Sequence, residues 1–153
     1  MIKEYMDIVI SNMSLNKLKY DDNIISEAFT LDIDRLDLLD SSMLSKYITA
    51  LSQYLIYLTF ELNKARAMCK AYKTKLESEL LKGLSDVDGK TLKEKRSKII
   101  NTRSDLRNLE SDITALQTEI TVLEGLFNPI ELYINALKRE QTRRWNEREL
   151  VRN

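Results

Sequence analysis

The sequence predicts an all-α protein: a long antiparallel helical hairpin plus a C-terminal helix, coiled-coil-like and oligomeric. Three observations lead there. Only 3 Gly and 1 Pro occur in 153 residues, too few for the turns that a sheet-rich fold needs. An apolar stripe at helical spacing runs from Leu44 to Leu80. A stricter seven-residue repeat runs from Ile99 to Leu137. The apolar share of 43% and charged share of 31% suit a folded chain rather than a disordered one.

The elements follow in order. Residues 2–13 place Ile2, Met6, Val9 and Met13 roughly on one face of a short helix. Lys17–Thr30 reads as irregular or extended, with Asp21-Asp22-Asn23 as a turn. Leu31-Asp32-Ile33-Asp34 is a helix start with Asp32 as N-cap, and nothing breaks a helix from Asp34 to about Lys82. Its stripe is Leu44, Tyr47, Leu51, Tyr54, Leu58, Leu62, Ala65, Cys69, Tyr72, Leu76 and Leu80, at steps of three and four. Gly83 ends it, and Gly83-Leu84-Ser85-Asp86-Val87-Asp88-Gly89 is the clearest loop in the chain.

A second long helix is expected from about Thr91. One heptad position holds Ile99, Leu106, Ile113, Ile120, Phe127 and Ile134; the other holds Thr102, Leu109, Leu116, Leu123, Ile130 and Leu137. Only Thr102 among them is polar, the pattern of a coiled-coil seam. Asn128-Pro129-Ile130-Glu131 predicts a kink or restart, with a last helix from Pro129 to about Leu150. A monomer of this shape leaves the seam uncovered, so oligomerisation is expected. The residues assigned to it are Ile113, Leu116, Ile120, Leu123, Phe127, Ile130, Ile134 and Leu137.

Formal net charge is zero, yet the charge is segregated. Residues 1–40 carry 4 basic and 9 acidic groups, residues 63–107 carry 13 and 6, residues 113–137 carry none and 3, and residues 138–153 carry 6 and 3. Arg66, Lys70 and Lys73 flank the first stripe, and Arg96, Arg103 and Arg107 flank the second, with Lys93 nearby. Lys64, Lys75, Lys90, Lys95 and Lys98 thicken the same zone. Binding a polyanion needs only cations spaced along a surface, so this zone points to one.

Several motifs fail on inspection. Gly83…Gly89-Lys90-Thr91 has five residues between its glycines and a preceding helix, where a phosphate loop needs four and a strand. Aligned as a calcium loop on Gly89, the first and twelfth ligand positions are Leu84 and Lys95, where carboxylates are required. There is no histidine, which removes the commonest general base. Cys69 lies on the apolar stripe and is expected in the core. Glu77 and Glu79 do not face each other on a helix, and Asp34, Asp37 and Asp40 are expected on a solvated surface. No enzyme activity, cofactor or metal is expected. Tyr47, Tyr54 and Tyr72 are expected in the core, Tyr57 and Phe60 on a second contact surface. Trp145, in Arg143-Arg144-Trp145-Asn146-Glu147-Arg148, is a candidate for base stacking or for a protein interface.

The single cysteine and the charges Lys3, Glu4 and Asp7 in the first residues predict neither a disulfide nor a signal peptide. No membrane span is expected, and a cytoplasmic location, that of the host if the chain is viral, is the simplest expectation.

Asp32-x-x-Arg35-Leu36, then Ser45-Lys46-Tyr47, then an ungapped run to Lys70-Ala71 resembles the UvsY recombination mediators of tailed phages. That family has Asp-x-x-Lys-Leu, Ser-Lys-Trp and Lys-Ala-Arg in the same order. Lys70 matches its lysine, and Tyr72 stands in place of its arginine. The resemblance implies a ring of six or seven subunits assembled through C-terminal helices. It also implies single-stranded DNA binding, with a RecA-like recombinase and a single-stranded-DNA-binding protein as partners. Lys70 is the residue the resemblance carries over; with the cationic zone around it, the expected strand-binding set is Lys64, Arg66, Lys70, Lys73, Lys75, Lys93, Arg96 and Arg103. The chain then divides into an arm (1–30), a basic hairpin (31–112) and assembly helices (113–153). The alternative is a coiled-coil structural or adaptor protein, such as a phage assembly or host-takeover factor, holding protein partners only.

Overall fold

A computed structural model describes residues 20–152; the helix expected over residues 2–13 lies outside them. The described residues form α1 (Asp22–Thr30), a 3₁₀ helix (Ile33–Leu38), α2 (Ser41–Gly83), α3 (Leu92–Thr102) and α4 (Ser104–Arg152), with no strand among them. The protein is all-α. No described helix is long and apolar enough to cross a membrane.

Helix α1 corrects the irregular segment expected there. The Asp21 carboxylate accepts from the backbone N–H groups of Asn23 and Ile24, so the acidic turn signal is an N-cap. Ile25 and Ala28 are buried. The Tyr133 hydroxyl donates to the carbonyls of Leu31 and of Ala28, the latter also accepting from the Leu31 N–H, and so helps close the helix end.

The uninterrupted helix expected from Asp34 is also corrected. Asp32 does cap a helix, accepting from Asp34 N–H at 3.0 Å, but that helix is 3₁₀ and stops at Leu38. The Arg144 guanidinium takes the carbonyls of Leu36, Asp37 and Leu39. Continuing the helix would need those same carbonyls for later N–H groups. Asp40 then caps α2 by accepting from Ser42 N–H at 2.9 Å.

Two further corrections concern the seam. The second helix breaks at Arg103, whose extended backbone (φ −111°, ψ 108°) separates α3 from α4. The Thr102 hydroxyl donates to the carbonyls of Lys98 and Ile99 just before the break, the competition with helix bonding that short polar side chains offer. Pro129, by contrast, sits inside α4 without ending it. Ile130, Ile134 and Leu137 are buried beyond it, and this packing outweighs the helix bond that proline cannot make.

The chain divides into two compact units. Among the described residues, one consists of 62–122 and the other of 20–61 with 123–152. Each draws on both long helices. In the first, Cys69, Leu76 and Leu80 of α2 join Ile99 of α3 and Leu106, Leu109 and Ile113 of α4 in one buried cluster. In the second, Ile25, Ala28 and Leu36 join Leu44, Tyr47, Ala50, Leu51 and Leu58 of α2 and Ile130, Ile134 and Leu137 of α4. Each fully buried leucine contributes about 1.5–3 kcal/mol.

Both apolar patterns are therefore used inside the chain. Along the α2 stripe only Tyr54 and Tyr72 are half-buried and the rest are buried. On the seam Thr102 is exposed, and Leu116, Ile120, Leu123 and Phe127 are half-buried. Ile113, Ile130, Ile134 and Leu137, assigned to oligomerisation by pattern, are buried without a second copy.

Candidate nucleic-acid interface

The loop between α2 and α3 is an interhelical turn fixed by its own lysines. Lys98 Nζ donates to the Asp88 carbonyl at 2.9 Å and Lys95 Nζ to the Leu84 carbonyl at 3.5 Å. Thr91 caps α3 by accepting from Glu94 N–H, and the Glu94 carboxylate accepts from Lys90 N–H. That bond, with Lys98 nearby, holds the Glu94 carboxyl below its usual range. Among the described residues no group of His, Cys, Asp or Glu could hold a metal ion.

Arg103 is a strut rather than an open cation. Its guanidinium meets Glu79 at 3.0 Å and Asp105 at 2.6 Å. Hydrogen bonds from Lys82 and then Arg103 lower the pKa of Glu79, and the bond from Arg103 lowers that of Asp105. Of the other residues suggested for strand binding, Lys64 is half-buried and Arg66 exposed.

Lys70, Lys73, Lys75, Lys93 and Arg96 are exposed and form no ion pair with any described residue. They do not share one surface. At 3.6 residues per turn, Lys64 and Lys75 point roughly 160° away from Lys70 and Lys73. Lys70, Lys73 and Glu77 follow one another along one flank of α2. Glu77 in turn lines a pocket of about 180 Å³ with Leu80, Leu81, Leu84, Leu92 and Arg96. This flank and the adjoining face of α3 form the more continuous cationic surface.

A larger groove, about 620 Å³, opens beside the break at Arg103. Leu76 of α2, Leu92, Lys93, Arg96, Ser97, Ile100 and Asn101 of α3, and Glu110 of α4 line it. Sequence reasoning found Lys93 and Arg96 but not the groove. Its one sequence signal is Thr102, the polar residue in the seam, beside which the helix breaks.

The C-terminal basic segment holds part of the fold through its arginines. Arg144 also donates to Ser41 Oγ at 3.1 Å and to Glu140 at 2.6 Å, with its side chain only 15% exposed. Arg143 pairs with Glu140 and Glu147. Hydrogen bonds from Arg143 and then Arg144 pull the Glu140 carboxyl down to about 2. Trp145, which follows them, is 65% exposed, and both arginines before it hold protein groups.

The tyrosines act mainly in packing. Tyr20 meets Tyr54 edge-on at 5.0 Å and Tyr57 at 4.6 Å between ring centroids, so Tyr57 is part of an aromatic cluster. Phe60 is half-buried.

No protein-family model matches the chain, and neither a curated protein nor a solved structure matches it.

Proposed function

We propose that the chain binds single-stranded DNA through the face formed by Lys70, Lys73, Lys93 and Arg96. Following its resemblance to the UvsY mediators, it acts as a phage recombination mediator that oligomerises and helps load a RecA-like recombinase. One observation carries the DNA part: these four cations are exposed and form no ion pair with a described residue, and Lys93 and Arg96 line a groove with apolar walls. Phosphate attraction to such a face needs no base-reading element. Leu116, Ile120, Leu123 and Phe127 of α4 pack on the core clusters yet stay half-buried, and their remaining exposed surface is what the reading assigns to assembly. Several copies would multiply a modest contact per subunit into useful affinity.

The deciding experiment is a light-scattering mass measurement with and without a single-stranded oligonucleotide, repeated across salt. The reading expects a multimer whose DNA binding weakens steeply as salt rises. No binding at low salt sinks it. That outcome, with the multimer intact, supports the second reading, an adaptor with protein partners only. The exposed indole of Trp145 favours that alternative, since tryptophan is a frequent anchor of protein interfaces.

A further inference from the structure

We infer that the groove beside Arg103 takes one unstacked nucleotide of the bound strand, its phosphate on Lys93 and Arg96 and its base against Leu76 and Ile100. This rests on the single-strand reading above and gives that reading a specific subsite.

The volume, about 620 Å³, lies inside the range of sites that enclose small organic ligands, about 300–1,000 Å³. The walls are of three chemical kinds. Leu76 is buried and Ile100 half-buried, and both belong to or pack on the core, so they offer a fixed apolar floor. Leu92 at the rim is 60% exposed, a large apolar side chain that the chain itself leaves uncovered. Lys93 and Arg96 supply positive charge and have no ion-pair partner among the described residues. Asn101 and Ser97 line the same space, and neither side chain makes a hydrogen bond with a described residue.

Glu110 decides between an anion and a nucleotide. A free inorganic anion entering the groove meets this carboxylate as well as the two cations. A nucleotide presents an anion at one end, a flat apolar face in the middle and, on most bases, N–H donors at the far edge. That order of groups suits cation, apolar wall and carboxylate together. A duplex keeps its bases stacked and paired, so it can use the cations but not the apolar floor. The groove therefore supplies a physical reason for preferring single strands.

The groove also depends on a break that the hydrophobic repeat does not require. Ile99, Leu106 and Ile113 keep seven-residue spacing straight through Arg103. The Glu79–Arg103–Asp105 ion cluster is what occupies the break.

The test is the affinity of the full chain for a fluorescent single-stranded oligonucleotide and for the matching duplex, at low salt, by anisotropy. Ser97→Leu narrows the groove from an exposed position, changes no charge and adds no aromatic ring for a base to stack on. It is expected to weaken single-strand binding about tenfold, the scale of one base contact, and to leave duplex binding unchanged. Leu92→Ser, which removes the exposed wall, is expected to act in the same direction. Wild-type affinity for single strands in both variants overturns the groove while leaving the DNA reading intact. Equal losses for single strand and duplex overturn it too, since the base then plays no part. Absence of single-strand binding by the unaltered chain overturns the function itself.

Discussion

Arg144 Nη1 donates to the carbonyl of Leu39 at 2.7 Å, joining two points 105 residues apart. The same guanidinium holds the carbonyls of Leu36 and Asp37, so one cation caps the C-terminal end of the 3₁₀ helix. Arg144→Ala removes this donor from all three carbonyls, leaving Leu36 only its bond from the Leu39 N–H, and is expected to cost about 2–3 kcal/mol. Arg144→Lys keeps the charge but not the planar fork and is expected to recover less than half. Urea denaturation of the three proteins measures both; an Ala variant within about 0.5 kcal/mol of wild type contradicts the capping role.

The Glu140 carboxyl beside Arg143 and Arg144 gives a pH signature. Its folded pKa is lowered from 4.5 to about 2. Its stabilisation is therefore complete above about pH 4.5 and is lost as pH falls toward about 2. Glu140→Gln should melt below wild type at neutral pH, and the two should converge through that acid window. Thermal melts across the window check it; a constant difference would falsify the assignment.

Glycine positions separate cleanly. Nothing lies within 4 Å of a Cβ built at Gly125, in the interior of α4. Gly125→Ala should stabilise by about 0.5–1 kcal/mol, since glycine is costly inside a helix. A Cβ at Gly89 would meet Lys95 Cγ at 2.9 Å, so Gly89→Ala should give no such gain. Paired denaturation curves distinguish them.

Core and surface leucines should differ as burial dictates. Leu106 is 1% exposed and Leu132 63%. Leu106→Ala should cost about 2–5 kcal/mol and Leu132→Ala less than about 0.5 kcal/mol, read from denaturation midpoints.

The two flanks of α2 can be told apart by salt. Changing Lys70 and Lys73 together to Ala should lower the slope of log affinity against log salt by about 1.4, roughly 0.7 for each phosphate contact with a single strand. Lys75→Ala, on the opposite flank, should leave the slope unchanged. Oligonucleotide titrations at several salt concentrations decide which flank faces the strand.

The long elements were legible because packing and periodicity agree. The positions from Leu44 to Leu80 recur at helical spacing, and that face is the buried one. Gly83 and Thr91 mark the turn as their residue types predict. Capping by distant groups was not legible. Nothing near Leu36–Asp40 announces that Arg144 takes its carbonyls, so the chain there looks like uninterrupted helix. Likewise the Asp21 carboxylate reads as a turn until Tyr133 and the buried Ile25 and Ala28 hold a helix behind it. At the candidate site, charge was visible and geometry was not. The count of cations in residues 63–107 did not reveal that Arg103 is braced by Glu79 and Asp105, that Lys95 and Lys98 hold the loop, or that α2 turns its lysines to two sides.

The contacts of Arg144 and Tyr133 also set an order of events during synthesis. Both partners of α1 and the 3₁₀ helix lie more than 100 residues later in the chain. The segment 22–40 emerges without these distant donors, and α4 supplies them only after about a hundred further residues have been made. A chain cut short before Glu140 keeps the buried Leu106 and Ile113 but lacks the Arg144 fork. Ribosome-bound intermediates of increasing length should therefore protect α2 near its loop before they protect residues 22–40, with α1 settling later than the helix made after it.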